Sequence, residues 1–285
     1  MKILLIGSQG QLGTEVIKIF PGVFAVDLPE VDVTVPESVE RAVSSYRPDV
    51  ILNTSAYHNV PDCEKNIDLA FRVNAFAVRN LAEICKARGL ALVHVSTDYV
   101  FDGRKNAPYA EADVPNPLNA YGVSKLAGEF FARKPEKSYV VRLSSVFGVA
   151  GCRGKGGKNF VKNMLEFAKT RDKVQITSNI ISSPTYAADA AVKIKELLEK
   201  DYPPGLYHLA NGGSCSWYEF AQEIFRLTGA KIAVEERFET EELAGVLRPM
   251  NSALVSTKIE PVRSWRAALK ANLEEEGYTI QEAAS

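Results

Sequence analysis

Tyr121 and Lys125 are the residues of this chain whose types and spacing are best suited to proton transfer. They stand four positions apart in the segment YGVSK, and side chains at i and i+4 share one face of a helix. A lysine ammonium beside a phenol stabilises the phenolate, so we expect Lys125 to lower the pKa of Tyr121 from its ordinary ~10. Such a tyrosine can donate a proton to a carbonyl oxygen while a hydride reaches the carbon. The hydroxyl of Thr97, at the end of LALVHVST, can hydrogen-bond the same oxygen.

A glycine-rich turn near the start of the chain is the second chemical signal. Gly7, Gly10 and Gly13 follow the first apolar segment in the spacing GxxGxxG and open a helical pattern. Such glycines permit a tight turn, the approach of a pyrophosphate and close packing of helix on strand. The helix N-terminus adds N–H donors for the anion. The isolated motif YxxxK is common by chance, but together with this turn it predicts a nicotinamide-dependent enzyme.

The ends of the second and third apolar segments should contribute further cofactor contacts. Asp27 closes the second segment, where a carboxylate accepts hydrogen bonds from the adenosine ribose. Leu28, Pro29 and Glu30 follow it without a cation, so a 2′-phosphate would meet negative charge and NADH is favoured over NADPH. The remaining contacts are expected from Asp32 and Val33 at the adenine and from Thr54, Ser55 and Ala56 at the end of the third segment.

Alternation of strand and helix patterns must position these residues. Buried parallel strands are predicted at KILLIG, VFAVDL, VILNTSA, LALVHVST and SYVVRLSS, and helices at 11–20, 36–46, 66–88 and 119–134. This order predicts an α/β fold, a Rossmann-type doubly wound parallel sheet with a smaller α/β substrate-binding portion. Ligands of such sheets bind outside the carboxyl ends of the strands, where every motif above falls.

The second half of the chain has a less regular pattern. We expect residues 1–150 to form the NAD(P)-binding domain and residues 151–285 to form mainly the substrate-binding domain, the two being interleaved. The segment 148–159 contains five glycines together with Arg153, Lys155 and Lys158. This composition predicts a mobile basic loop that closes over the diphosphate of a substrate.

Composition excludes several other classes of protein. The formal net charge is −1, which gives no positive field for nucleic acid or anionic lipid. The first apolar run ends at Gly7, too short for a signal peptide or a membrane span. The four cysteines and three histidines are dispersed without a CxxC pair, so we expect no disulfide framework, no metal site and a cytoplasmic location.

At this point the chain resembles the extended short-chain dehydrogenase/reductases, and within them the dTDP-4-dehydrorhamnose reductase family. The motifs that carry the resemblance span nearly the whole chain: GSQGQLG, VNAFAVRNLA, STDYVFDG, YGVSKLAGE, SPTYAADAA, GLYHLANGGSCSWYEFAQEIF and RPMNSAL. The resemblance implies that Thr97, Tyr121 and Lys125 are catalytic, with Lys125 also binding the cofactor ribose. It further implies pyrophosphate contacts from Gly10, Gln11 and Leu12, a sugar contact from Asp98, and a nucleotide contact from Arg248.

The implied reaction is reduction of the C4 carbonyl of dTDP-4-dehydro-L-rhamnose to dTDP-L-rhamnose by NADH or NADPH, with Tyr121 as proton donor. Mg²⁺ and a homodimer are compatible with the resemblance, although the sequence does not indicate the ion. The chain departs from the family pattern at Ser145, which replaces a tryptophan, at His58, which replaces a threonine, and at Asn179, which replaces an aspartate. All three lie on the ligand side. We expect His58 to pack in a loop or at the cofactor edge.

Two alternatives belong to other classes. A non-catalytic dinucleotide-binding regulatory subunit would share the fold, but it would not need the full set of Thr97, Tyr121 and Lys125. An epimerase or dehydratase on the same scaffold, or a reductase of another nucleotide-4-keto-sugar, would share the cofactor site. Dehydratases of this superfamily typically follow the threonine with two acidic residues, whereas Asp98 here precedes Tyr99.

Overall fold

The centre of the molecule is a six-stranded sheet in which every neighbouring pair of strands is parallel. The structure, a computed structural model, describes residues 1–152, 154, 156–200, 202–240 and 245–281. The strands are β1 (Ile3–Ile6), β2 (Phe24–Val26), β3 (Val50–Asn53), β4 (Ala91–Thr97), β5 (Ser138–Leu143) and, after four short strands described below, β10 (Gly205–His208). Their spatial order is β10-β5-β4-β3-β1-β2. Strands β2 and β3 lie on opposite sides of β1, so the chain crosses back over β1 after β2, as in a doubly wound sheet. The predicted fold class is confirmed.

Helices cover both faces of this sheet because its inner strands are apolar on both sides. The helices are α1 (Gln11–Ile19), α2 (Pro36–Tyr46), α3 (Val60–Lys65), α4 (Ile67–Phe71), α5 (Ala77–Arg88), α6 (Ala120–Ala132), α7 (Phe160–Thr170), α8 (Ala187–Glu199), α9 (Trp217–Thr228) and α10 (Trp265–Glu275). Side chains of α1 and α8 share one core with the sheet, and those of α2 and α5 share the core on the opposite face. Among the described residues, no helix is long and apolar enough to cross a membrane.

Residues after 150 contribute to the main sheet as well as to a second core. Strand β10 pairs with β5, and α8 packs against α1. The second core is formed by side chains of α7, α9 and α10 around Phe147. The short strands β6 (Val146–Phe147), β7 (Lys173–Thr177), β8 (Ile181–Ser182), β9 (Thr185–Tyr186), β11 (Cys215–Ser216) and β12 (Ala233–Arg237) pair beside it as β6–β9, β7–β12 and β8–β11. Residues after 150 thus belong to both cores, while the division into two interleaved domains at residue 150 stays a prediction.

The helix predicted over 66–88 is confirmed as one helical stretch over 67–88, but this stretch contains a π-helical turn that the sequence did not indicate. A π-helical turn, Arg72–Phe76, separates α4 from α5. Asn74 lies in this turn and is fully buried. Its amide donates to the Tyr57 carbonyl and the Ser124 hydroxyl, at 2.8 and 3.0 Å, and its carbonyl accepts from the Tyr57 N–H at 2.9 Å. A π turn presents this side chain to the loop after β3 and to α6 at once, a contact that an apolar repeat does not reveal.

Helix α6 is fastened to the sheet by a buried ion pair. The carboxylate of Glu129 accepts two hydrogen bonds from Arg142 on β5, from Nε and Nη2, both at 2.7 Å. Glu129 also accepts from the Ser96 hydroxyl on β4 at 2.6 Å. Both charged side chains are at most 1% exposed, and the guanidinium lies over the Phe101 ring. Such a pair is costly to leave half-made, so it fixes the rotation and height of α6 on the sheet.

Substituting Glu129 by Gln should therefore destabilise the fold strongly. The variant keeps the shape of the side chain but leaves the Arg142 charge buried without its counter-ion, which costs about 3–5 kcal/mol. Denaturant unfolding measures this loss as a lower midpoint. The exposed pair Arg88–Glu40 provides the control, because Glu40→Gln should cost about 0–1 kcal/mol. Equal losses in the two variants would contradict the anchoring role of Glu129.

Candidate active site

A cavity of about 1110 Å³ opens at the carboxyl ends of β1, β3 and β4. Fourteen of the sixteen residues predicted from the sequence line it: Gly7, Gly10, Gln11, Leu12, Asp27, Asp32, Val33, Thr54, Ser55, Ala56, Thr97, Asp98, Tyr121 and Arg248. The structure thus brings the glycine-rich turn and the Thr97–Tyr121 pair to one space. Gly13 and Lys125 are the two that do not line it, for reasons given below.

Two of the three glycines of the glycine-rich turn, Gly7 and Gly13, have no room for a side chain. Gly7 has a φ of +86°, and a Cβ there would lie 2.7 Å from the Thr54 hydroxyl. A Cβ on Gly13 would lie 2.4 Å from the Gly7 carbonyl, so Gly13 lets α1 pack closely against the end of β1. Its predicted cofactor contact stays a prediction. Gly10 precedes the first residue of α1. Its position leaves the helix N-terminus open to the cavity, an arrangement that fits the pyrophosphate of a dinucleotide.

Two carboxylates border the same half of the cavity. The Asp27 carboxylate accepts from the backbone N–H of Gln9 at 2.9 Å and of Leu28 at 2.8 Å. Asp27 therefore shapes the glycine-rich turn while it faces the cavity. The Asp32 carboxylate accepts from the N–H and hydroxyl of Thr34. The described lysine and arginine side chains that line the cavity are Lys158, Arg237 and Arg248, all from segments after residue 150.

Thr97 and Tyr121 meet in the other half of the cavity. Their hydroxyl groups share a hydrogen bond. The Thr97 hydroxyl donates to Asp98 at 3.1 Å and accepts from the Tyr99 N–H at 3.2 Å. Asn119 begins α6 by accepting from the Gly122 N–H at 2.9 Å, so the helix starts with Tyr121 in its first turn. The two hydroxyls expected to hold one carbonyl oxygen are in place together.

The expected lowering of the Tyr121 pKa is wrong for this structure. Burial raises the pKa of the Tyr121 phenol above its ordinary value, and the hydrogen bond with Thr97 opposes this only in part. The nearby Asp98 carboxylate raises it further. A phenolate here would be poorly solvated and close to another anion. The phenol therefore stays protonated at neutral pH, which is the form that a proton donor requires.

Lys125 lies behind the cavity wall and does not point at Tyr121. Its ammonium nitrogen, Nζ, donates to the Val95 carbonyl at 2.6 Å and lies 3.4 Å from Nε2 of His94. The side chain is 2% exposed. Burial lowers the pKa of Lys125 to about 8, while Glu129 one turn along α6 acts in the opposite direction. The spacing YxxxK placed the two residues on one helix but did not reveal how deep the second one lies.

Asp98 connects three separate segments below the cavity. One oxygen of its carboxylate accepts from Thr97, and the other accepts from the hydroxyls of Ser144 and Ser252, at 2.9 and 2.5 Å. The residue is 3% exposed. Burial raises the pKa of Asp98 to about 6, although the three hydroxyl donors oppose this. The expected sugar contact stays a prediction, because these hydroxyls already occupy both carboxylate oxygens.

Arg248 lines the cavity beside Tyr99. The guanidinium and the Tyr99 phenol share a hydrogen bond, and the Tyr99 ring packs edge-on against Tyr121 at 5.7 Å between centroids. Burial raises the pKa of Tyr99 to about 12, so its phenol stays neutral beside the cation. The Asn119 amide donates to the Leu247 carbonyl at 2.9 Å and ties this segment to the start of α6. A cation held in this way can bind a diphosphate.

Aromatic side chains line the same cavity as Ser145, one of the positions where the chain departs from the family pattern. Ser145 adopts a left-handed backbone with φ of +46° and donates to the Ser182 hydroxyl at 2.8 Å. Phe160 and Trp217 line the cavity with ring centroids 4.6 Å apart. Phe147 is buried in the second core, with 1% exposure. An aromatic surface is thus present even though Ser145 replaces a ring.

The basic loop is described only in part. Arg153 and Lys155 lie outside the described residues, so their predicted position over a diphosphate stays a prediction. Lys158 lines the cavity and pairs with Glu166 at 3.0 Å. His58 packs in its loop with Nε2 2.9 Å from the Cys152 sulfur, in line with the packing role expected for it. Among the described residues, no group of three acidic, cysteine or histidine side chains could hold a metal ion.

Sequence reasoning missed several residues that shape the site. Tyr99 and Ser252 lie inside the motifs STDYVFDG and RPMNSAL, so motif membership was the available signal for both. Trp217 could have been considered as a ligand-facing aromatic residue, since it also lies in a motif. Asn74 lies in the motif VNAFAVRNLA, so the same signal was available for it. His94 carried no local signal, because its partners come from distant parts of the chain.

Comparison with known proteins gives one consistent result. The family model described as RmlD substrate binding domain matches residues 1–277. The spore coat polysaccharide biosynthesis protein SpsK of Bacillus subtilis is 37% identical over 96% of this chain and 97% of its own length. A dTDP-4-dehydrorhamnose reductase of Aggregatibacter actinomycetemcomitans is 35% identical over 94% and 97%. The crystal structure of dTDP-4-dehydrorhamnose reductase from Bacillus anthracis in complex with NADP superposes with a TM-score of 0.89, at 34% identity over 96% and 99% of the two chains.

Removing the Ser252 hydroxyl should raise the pKa of Asp98. A hydroxyl that donates to a carboxylate stabilises its charged form, so Ser252→Ala should move the Asp98 pKa upward from about 6. Carbon-13 NMR of the aspartate carboxyl groups measures this titration. Ser256→Ala is the matched control, because the Ser256 hydroxyl donates to a different carboxylate, Glu111. An unchanged Asp98 titration in Ser252→Ala would contradict the described hydrogen bond.

Proposed function

The chain belongs to the RmlD substrate binding domain family, and from that premise we propose that it is an NAD(P)H-dependent dTDP-4-dehydrorhamnose reductase. The reaction is reduction of the C4 carbonyl of dTDP-4-dehydro-L-rhamnose to dTDP-L-rhamnose. The observation that carries the proposal is that a dinucleotide turn and the hydrogen-bonded Thr97–Tyr121 pair line one cavity. The relatives named above, similar over nearly their full lengths, support the same reaction.

Each residue of the site has a separate role in the proposed reduction. When bound, the dihydronicotinamide supplies the hydride that C4 receives. The Tyr121 phenol gives its proton to the carbonyl oxygen, so the O–H bond of the tyrosine breaks as the new hydroxyl forms. The Thr97 hydroxyl positions that oxygen by a second hydrogen bond. Arg248 holds the diphosphate of the substrate, and Phe160 and Trp217 offer an apolar face to its base or sugar.

The cofactor half of the cavity is assigned from the sequence predictions and their placement. We propose that Gly10, Gln11 and Leu12 hold the pyrophosphate, that Asp27 binds the adenosine ribose, and that Lys125 turns from the Val95 carbonyl to the nicotinamide ribose. The adenine would lie near Asp32 and Val33. Thr54, Ser55 and Ala56 would face the middle of the dinucleotide. The homodimer stays a prediction, and Mg²⁺, which the sequence does not indicate, is not part of this proposal.

The alternatives are less well supported. A regulatory subunit would have no use for a protonated phenol bonded to Thr97 inside a cofactor-sized cavity. The relatives named for their activity are reductases, which does not favour an epimerase or dehydratase. The departures at Ser145 and Asn179 lie on the substrate side, and Asn179 bonds to the backbone of Glu239 at 2.8 and 2.9 Å. These departures therefore concern which sugar is bound and not how hydride and proton are transferred.

Turnover of a panel of substrates tests the proposal. Purified protein is mixed with dTDP- and GDP-4-keto-6-deoxy sugars and with NADH or NADPH, and oxidation is followed at the nicotinamide absorbance band. We expect rapid oxidation with dTDP-4-dehydro-L-rhamnose and formation of dTDP-L-rhamnose. Oxidation only with another sugar would reassign the substrate. Cofactor binding without turnover of any sugar would favour the regulatory subunit.

Substituting Tyr121 by Phe should lower kcat by about 10²–10⁴, the usual contribution of a placed general acid. The ring still fills its space, so the affinity for cofactor should stay close to that of the parent protein. Steady-state kinetics and cofactor fluorescence measure the two effects separately. Tyr109→Phe is the matched control, since that phenol donates to Asp102 outside the cavity lining. Near-normal turnover in Tyr121→Phe would refute the proton-donor role.

The charge of Asp27 should favour NADH over NADPH. A 2′-phosphate bound beside this carboxylate would be repelled, so Asp27→Asn should shift the ratio of kcat/KM values toward NADPH by about tenfold. The amide keeps an acceptor oxygen for the Gln9 N–H. Glu37→Gln, which removes a carboxylate that does not line this cavity, should leave the ratio unchanged. A parent protein that prefers NADPH would mean that a cation elsewhere in the chain reaches the phosphate.

A further inference from the structure

A fully buried histidine stands behind Lys125. His94 lies on β4, and its register partner on β3 is Asn53. Its ring nitrogen Nδ1 is 3.3 Å from the Asn53 amide nitrogen, and Nε2 is 3.4 Å from Nζ of Lys125. Gly128 allows α6 to come this close, because a Cβ there would lie 3.3 Å from Nε2 and 2.2 Å from the Asn74 carbonyl. The proposed reaction gives this histidine no role.

The orientation of the Asn53 amide is fixed by Ser55. The Asn53 carbonyl oxygen accepts from the Ser55 N–H at 3.1 Å and from the Ser55 hydroxyl at 2.6 Å. A backbone N–H can only donate, so the oxygen of the amide must face it. The amide nitrogen therefore faces His94 and donates to Nδ1. Nδ1 must accept this bond and carries no hydrogen.

The single hydrogen of the neutral ring then lies on Nε2. Complete burial holds the pKa of His94 well below its ordinary value, so the ring is neutral. A neutral imidazole carries one hydrogen, and with Nδ1 accepting, that hydrogen is on Nε2 and points at Nζ of Lys125. If Lys125 were an ammonium, it would have donors only and could not accept a hydrogen bond from the Nε2–H of His94. A neutral amine has a lone pair that accepts from Nε2, and it still donates to the Val95 carbonyl.

We propose that His94, oriented by Ser55 and Asn53, is a positioning residue that presents an N–H to Lys125 and stabilises its neutral amine. The inference rests on the proposed function, since it makes Lys125 a group whose protonation the protein controls. Near-complete burial of Lys125 acts in the same direction. The described charged group that opposes it on α6 is Glu129, whose carboxylate is paired with Arg142 on β5. On β4, His94 is the titratable side chain that faces Nζ.

Nitrogen NMR of the full-length protein tests the orientation of the ring without any turnover. Spectra of protein labelled with ¹⁵N in its histidine rings distinguish a protonated from an unprotonated ring nitrogen, and His94→Phe assigns the signal. We expect Nε2 protonated and Nδ1 unprotonated across the pH range in which the protein is folded. A hydrogen on Nδ1, or a ring protonated on both nitrogens at neutral pH, would overturn the proposal.

Titration of Lys125 tests the consequence. Carbon-13 NMR of labelled lysine follows its pKa, and Lys125→Met assigns the signal. His94→Phe replaces the imidazole by an apolar aromatic ring without an N–H, so we expect the Lys125 pKa to rise by about one pH unit, the scale of one lost hydrogen bond. His208→Phe is the matched control, because that buried ring contacts the carbonyls of Tyr109 and Val255. An unchanged Lys125 titration in His94→Phe would show a packing role only and overturn the proposal.

Asn53→Asp provides a second variant should His94→Phe fail to fold. The side chains have the same shape, but the new carboxylate accepts from Nδ1 and reverses the hydrogen-bond direction across the ring. We expect the ring hydrogen to move to Nδ1 and the Lys125 pKa to rise. A ring that keeps its hydrogen on Nε2 would contradict the proposed chain. The substrate panel is assayed separately, so absence of turnover together with these NMR results would refute the reductase and leave the role of His94 intact.

Discussion

The Glu129–Arg142 ion pair is the interaction on which the arrangement of the site depends. Tyr121, Lys125 and Glu129 succeed one another at four-residue intervals along α6, so one anchored turn sets the position of the other two. Both charges are removed from water, and their bidentate geometry with the added bond from Ser96 makes other rotations of the helix unfavourable. An apolar contact would hold the helix to the sheet, but it would tolerate sliding by a fraction of a turn. Hydride and proton transfer do not tolerate such displacement.

The same requirement explains why β4 is polar where it faces α6. His94 and Ser96 alternate with apolar residues on this strand and lie opposite Lys125 and Glu129. Buried polar groups are stable only when each has a partner, and here the partners come from β3, β5 and α6. The pairing of β3 with β4 aligns Asn53 with His94, and that of β4 with β5 aligns Ser96 with Arg142. The parallel register is therefore part of the chemistry of the site.

The sequence was sufficient for the features that depend on local pattern. Apolar runs and glycine spacing predict the strands, the doubly wound sheet and the dinucleotide turn, because each is determined by a few consecutive residues. It was insufficient where the outcome depends on distant partners. The π turn at Asn74 is stabilised by Tyr57 and Ser124, the depth of Lys125 is set by the anchoring of α6, and the pKa of Tyr121 is governed by burial that no spacing reveals. Helix periodicity correctly placed Tyr121 and Lys125 on one helix, but it predicted the wrong direction for the Tyr121 pKa.

Asp98 links the segment that carries Arg248 to Thr97 through hydrogen bonds. Its carboxylate receives hydroxyls from the end of β4, from the residue after β5 and from Ser252, only four residues beyond Arg248. A displacement of the segment that carries Arg248 would therefore alter the hydrogen bonds of Asp98, and through them the direction in which the Thr97 hydroxyl points. Since Thr97 also bonds to Tyr121, the arrangement would let occupancy of the proposed diphosphate subsite act on the proposed proton donor through three hydrogen bonds. Binding energy from the nonreacting part of the substrate can in this way be used to orient the reacting groups.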